Sequence, residues 1–403
     1  MTSRKWIGAR NSAVLVALVA LVGWLAQCGP AAPSADSGID AALQLEVLES
    51  LGRHVLAPTY RRFAEAAAEL ERATQAYAAS LADEDRLAAQ SAWREAMDQW
   101  QLAEPMQVGP AAPATRPGGR FLRDDIYSFP VTNPCRIDQE TAEQSYTDLE
   151  ALAAQPVNVR GLDAIEYLLF VPSADNACAP TSPINTDGRW AALGADEIAR
   201  RRAAHAAALA ALVRRAADEL DAAWDPARGN FAAELASPGA GRLFVSPSEA
   251  VDAITDAMFY LDTVTKDRKL AVPLGLRGCA AEACPELVES PLAGTAALHV
   301  EANLRAFELL FLGAEPGTEA PGLDDLLASV GQEALAVRMA ENLAAARASA
   351  ASIDAPLSTA IVDDRAAVEA LYAAVKRVTD DLKGPFVTAL RLTIPAEGAG
   401  DTD

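Results

Sequence analysis

Asp163 and Glu166 are the residues whose type and spacing point most directly to chemistry. They fall in Asn158-Val159-Arg160-Gly161-Leu162-Asp163-Ala164-Ile165-Glu166-Tyr167-Leu168-Leu169-Phe170, a glycine followed by the opening of a strongly apolar helix. Residues three apart share a helix face, so the two carboxylates can aim at one point. Ile165, Leu168 and Leu169 take neighbouring positions and read as core. Carboxylates paired beside an apolar stripe repel each other and lose hydration, so they are shared with a cation, an arginine or a proton. Two readings therefore stand side by side. Either Arg160 or Arg305 neutralises the pair, or the pair contributes ligands to a cation. An all-oxygen pair suits a hard ion such as Ca²⁺, Mg²⁺, Mn²⁺ or ferric iron better than zinc.

A shell of six or more ligands needs further oxygens. The candidates lie in Phe121-Leu122-Arg123-Asp124-Asp125-Ile126-Tyr127-Ser128-Phe129-Pro130, delivered by a long Pro/Gly-rich loop over residues 105–120 that reads as the rim of a site. Asp125 and Tyr127 are the candidates there. The alternative is that Asp124 and Asp138 cap helices while Tyr127 packs. His299 is the one histidine placed where a site could use it, although packing or capping competes. His54 and His205 read as ordinary helix residues. With three histidines and no His-Glu-x-x-His, phosphate loop, nucleophile elbow or haem attachment motif, binding is favoured over catalysis.

The elements that must position these groups are helices, because alanine dominates and β-branched runs are scarce. An apolar repeat runs from about Ile39 to Leu81, with Pro58 expected to kink or break it. Further helices are read over Glu84–Leu102, Ala195–Trp224, Ser246 to about Leu270, Leu298–Gly313, Leu323–Ala350 and Pro356–Leu382, with Lys383-Gly384-Pro385 as a stop. Asn303-Leu304-Arg305 aligns on Asn158-Val159-Arg160, which hints at an internal duplication. The fold class is all-α: two similar helical-bundle halves, residues 39–230 and 231–395, packed as one body, followed by an acidic tail at 396–403.

The net charge of −22 with no basic stripe argues against nucleic acid as a partner. Residues 1–27 read as an export signal: Arg4, Lys5 and Arg10 precede an apolar run from Ala13 to Ala26. Leu25-Ala26-Gln27-Cys28 reads as a lipidation site at Cys28, with residues 28–38 as a tether. The alternative is simple cleavage among Ala31 to Ala35. Lipidation would leave Cys135, Cys178, Cys279 and Cys284, an even number in an oxidising compartment. Four cysteines allow three connectivities. Sequence proximity favours Cys135–Cys178 and Cys279–Cys284.

The 158–170 stretch resembles the signature of the imelysin-like (M75 peptidase) family, Gly-x-His-x-x-Glu followed by an aromatic and apolar residues. Gly161, Glu166 and Tyr167-Leu168-Leu169-Phe170 match, while Asp163 stands at the histidine position. The segments around His54 to Phe63, Ala92-Trp93 with Trp100, and Phe121 to Asp138 are also similar to that family. The resemblance implies a two-fold duplicated helical body in the bacterial periplasm, tethered by lipid to the outer membrane. It further implies an association with iron acquisition, a metal ion as ligand and envelope proteins as partners. The family's peptidase assignment leans on the histidine that Asp163 replaces. A third possibility is an interaction lipoprotein whose site is vestigial.

Overall fold

The first forty described residues show how the chain builds length without losing its core. The computed structural model describes residues 38–395 and Gly398, and every regular element among them is helical. Residues 1–37, which contain the expected export signal, Cys28 and nearly all of the tether, lie outside the described residues. So does the acidic tail apart from Gly398. Helix Ala41–Ser50 runs through a π-helical turn, Leu51–Leu56, into helix Ala57–Ser80. Pro58 therefore does not break the run. It sits in the first turn of the second helix, where a missing N–H costs little. Leu81 closes that helix in the left-handed region at φ 58°. Helix Asp83–Ala103 then starts on Asp83, Glu84 and Asp85, whose charges favour a helix N-terminus.

Helix Ala57–Ser80 packs against Asp83–Ala103 and against Ala195–Trp224, the longest helix. Helices Ala296–Leu312, Glu333–Ala351 and Arg365–Asp381 form a second group, with the π-helical segment Leu261–Ala271 laid across it. One hydrophobic core runs through both groups, from Val47 and Trp93 to Phe311 and Leu371. A small satellite core of Cys178, Ile184, Trp190 and Ile198 lies beneath the loop that follows Phe170. No helix of the described residues is long and apolar enough to cross a membrane.

Three expected elements differ. The 323–350 helix is broken between Leu323–Ser329 and Glu333–Ala351, where Gly331 adopts φ 75° and ends the first piece. The 356–382 helix divides at Asp364 into Leu357–Asp363 and Arg365–Asp381. Lys383-Gly384-Pro385 does not stop it, because a π-helical turn, Leu382–Phe386, carries Pro385 and leads into Val387–Ala389. The wider turn relieves the clash of the proline ring with the preceding carbonyls. Asn303 lies buried in mid-helix, whereas Asn158 sits in a 3₁₀ turn, so the two aligned stretches differ locally. Both disulfides follow sequence proximity, Cys135–Cys178 and Cys279–Cys284.

Candidate functional site

Gly161 starts the site. Its φ of 95° is open to glycine and strained for other residues, and a Cβ there would meet the Ile126 carbonyl oxygen at 2.8 Å. The helix that follows, Leu162–Phe170, is held at both ends by helix Asp83–Ala103. Trp93 Nε1 donates to the Leu162 carbonyl at 2.7 Å, and Gln90 Nε2 donates to the Leu169 carbonyl at 2.7 Å. That grip fixes the rotation of the helix, and with it the face bearing Asp163 and Glu166.

Both carboxylates line one cavity of about 560 Å³. Its walls are the 127–134 loop, the signature helix, Arg268 and Val272, and the loop from Gly278 to Leu292. The helix and the 127–134 loop thus face each other across this cavity. The 105–120 loop rims a different cavity of about 400 Å³, beside Glu249, Asp252 and Asp256.

Asp163 is buried. Its Oδ2 accepts from Ser128 Oγ at 2.6 Å and from the Thr132 hydroxyl, while its buried Oδ1 has no hydrogen-bond partner among the described residues. Burial raises its pKa, and the Ser128 and Thr132 hydroxyls pull it back. Glu166 Oε1 accepts from the Leu292 and Ala293 amides at 3.0 and 2.9 Å. Burial pushes Glu166 up to about 7, against the pull of those amides, and the Asp163 charge adds to the rise. Neither proposed arginine neutralises the pair. Arg160 binds Asp125 at 2.8 Å, and Arg305 binds Glu315 at 3.2 Å.

The other candidate ligands are engaged by other partners. Asp125 is engaged by Arg160 and is not part of the cavity wall. Tyr127 does line the cavity, but its hydroxyl donates to Glu289 Oε1 at 2.7 Å. His299 Nδ1 lies 3.0 Å from Glu289 Oε2, behind the wall. Glu289 is thus the hub of a buried polar cluster, completed by Lys269 Nζ at 3.0 Å and Gln101 Nε2 at 3.0 Å. Burial alone would raise the Glu289 pKa, but Lys269 and His299 outweigh it and hold the carboxylate well below its usual range. The same surroundings drive the Tyr127 hydroxyl far up, burial first and the Glu289 charge second. His54 is exposed, whereas His205 is fully buried, with Nδ1 2.9 Å from Thr141 Oγ1 and its ring stacked on Tyr146.

Glu289, Lys269 and Arg268 are absent from the sequence-based candidates. In the π-helical segment Leu261–Ala271, Lys266 and Lys269 are buried while Arg268 between them is exposed. Among the described residues no three His, Cys, Asp or Glu side chains form a group able to hold a metal ion.

A family model described as Peptidase_M75, Imelysin, matches residues 56–383. The fold is similar to a crystal structure of a putative iron-regulated protein A precursor from Parabacteroides distasonis ATCC 8503. That likeness has a TM-score of 0.67 and 16% identity over 87% of this chain and 96% of the other. It is also similar to an imelysin-like protein from Psychrobacter arcticum 273-4, with a TM-score of 0.65 and 16% identity over 89% and 98% of the two chains. A search of curated proteins gives no match. At such identities the two structures speak for the fold.

Proposed function

The chain belongs to the imelysin family, and from that premise we propose that it captures an iron-like hard cation in the cavity bearing Asp163 and Glu166, without catalysis. The observation that carries this reading is the state of the two carboxylates. They are buried on one helical turn and face a cavity, with no arginine neutralising them and one Asp163 oxygen uncommitted. Carboxylates lose much of their hydration on burial, and a cation returns that stabilisation directly. The iron-regulated description of a structural relative makes iron the first ion to test. In this reading the protein works in the bacterial envelope, held by lipid at Cys28 to the outer membrane, and hands its cation to a protein partner.

The test is thermal unfolding of the purified chain with and without Mn²⁺ or Fe²⁺, repeated on Asp163→Asn with Glu166→Gln. A ligand present at about a hundred times its Kd adds roughly 2.7 kcal/mol of stability, so the parent's melting point should rise by a few degrees. The double variant should fold and show no rise. A parent that ignores every hard cation, or a double variant that responds equally, overturns the proposal.

A further inference from the structure

We propose that the cation enters this cavity already bound to a small carboxylate chelator, and that Arg268 grips the chelator. This rests on reading the cavity as a cation site, and three observations carry it beyond that reading.

The first is the donor set. A hard cation takes six or more oxygens. Two protein carboxylates supply few of them, because Ser128 and Thr132 already occupy Asp163 Oδ2 and the Leu292 and Ala293 amides occupy Glu166 Oε1. Glu286 also borders the cavity, yet it does not join the pair in a three-carboxylate group. The rest of the shell must arrive with the ion.

The second is size and lining. An ion with six waters fills roughly 180 Å³, at about 30 Å³ per water. The cavity holds about 560 Å³ and is walled by Phe129, Val272, Leu287 and Leu292. Apolar walls serve a hydrated ion poorly and a carbon skeleton well.

The third is charge. Among the described lining residues Arg268 is the one cation. Its neighbours Lys266 and Lys269 are buried in ion pairs with Asp262 and Glu289, both at 3.0 Å. Arg268 is exposed and makes no ion pair or hydrogen bond with any described residue. A guanidinium would repel a bare cation. It offers a planar fork to a carboxylate, so a complex can present its metal to Asp163 and its anionic edge to Arg268.

The experiment is isothermal titration of the full chain with three probes: ferric nitrilotriacetate, metal-free nitrilotriacetate and Mn²⁺ chloride. The proteins are the parent, Arg268→Ala, Arg268→Lys and the Asp163→Asn, Glu166→Gln double variant, each checked for helicity by circular dichroism. The parent should bind the ferric complex at least tenfold more tightly than the free chelator. Arg268→Ala should lose about tenfold or more for the complex while binding Mn²⁺ at least as well as the parent, because a like charge has gone, and Arg268→Lys should regain part of the affinity for the complex. The double variant should lose the complex and Mn²⁺ alike. If Arg268→Ala binds the complex as the parent does, or the free chelator binds as tightly as the complex, this inference falls and the cation reading stands. If the parent binds Mn²⁺ and ignores the complex, the inference again falls alone. If the parent binds no metal in any form, both fall.

Discussion

Glu289 and Asp163 are both carboxylates buried in the same region, and their partners give them opposite characters. Glu289 meets a lysine, a histidine, a tyrosine hydroxyl and an amide, so its charge is held inside the fold. Asp163 meets two hydroxyls, and its other oxygen is buried without a hydrogen-bond partner among the described residues. The i, i+3 spacing made the Asp163–Glu166 pair legible, because helix geometry alone sets it. The partners of Tyr127 and His299 were not legible, since Glu289 lies 162 residues from Tyr127 along the chain and only tertiary packing brings them together. His205 shows the reverse case, a titratable group that burial keeps neutral. Desolvation lowers its pKa to about 3, against roughly 6.5 in the unfolded chain. The unfolded state thus binds a proton that the native state refuses once the pH drops below about 6.5. Stability from this residue is complete above that pH and falls by about 1.4 kcal/mol per unit as the solution is acidified toward 3. Urea unfolding of the parent and His205→Phe should show this, the phenyl ring keeping the stack on Tyr146. The variant's stability should fall less steeply between pH 6.5 and 4.5, and parallel profiles would count against a neutral buried imidazole.

At the level of elements, helices with strong local signals were readable and those shaped by winding were not. Ala195–Trp224 ends at Asp225-Pro226, and Ser246 caps the helix starting at Pro247 by accepting from the Glu249 amide, both as the residue types imply. The three π-helical segments carry no comparable signature. Two of them carry groups unusual in a helix interior, the buried Lys266 and Lys269 in one and Pro385 in another. The signature helix combines both kinds of information. Its apolar face comes from sequence, but its rotation comes from Gln90 and Trp93, and its entry comes from Gly161. Gly161→Ala should therefore act on the whole element. It places a Cβ in a left-handed backbone and 2.8 Å from the Ile126 carbonyl. The cost should be about 1–3 kcal/mol in urea unfolding, together with a weakened metal response as Asp163 is displaced. A Gly161→Ala chain as stable and as responsive as the parent would mean that the helix entry does not position the carboxylates.

The two halves read from the sequence meet through polar contacts that neither can satisfy alone. Gln101 receives Lys269 Nζ at 2.5 Å and donates to Glu289, while Asn303 Nδ2 donates to the Gln101 carbonyl at 2.7 Å. Glu166 takes its amides from Leu292 and Ala293, and Ser50 Oγ donates to the Gly313 carbonyl at 2.9 Å. The cavity has the same composition, since residues 127–167 form one side and 268–292 the other. Separating the halves would leave Lys269 and Glu289 without several of their partners. Breaking a buried charged group's pairing costs about 3–5 kcal/mol, against a total stability of about 5–15 kcal/mol for an ordinary domain. The continuous core from Val47 to Leu371 adds to that coupling. Calorimetry should therefore record a single endotherm whose calorimetric and van't Hoff enthalpies agree, although a chain of 403 residues has length enough for two domains. Two resolved transitions would show that the halves are independent folding units. The cavity would then be an interface free to open, and its ligand affinity would track the docking of one half on the other.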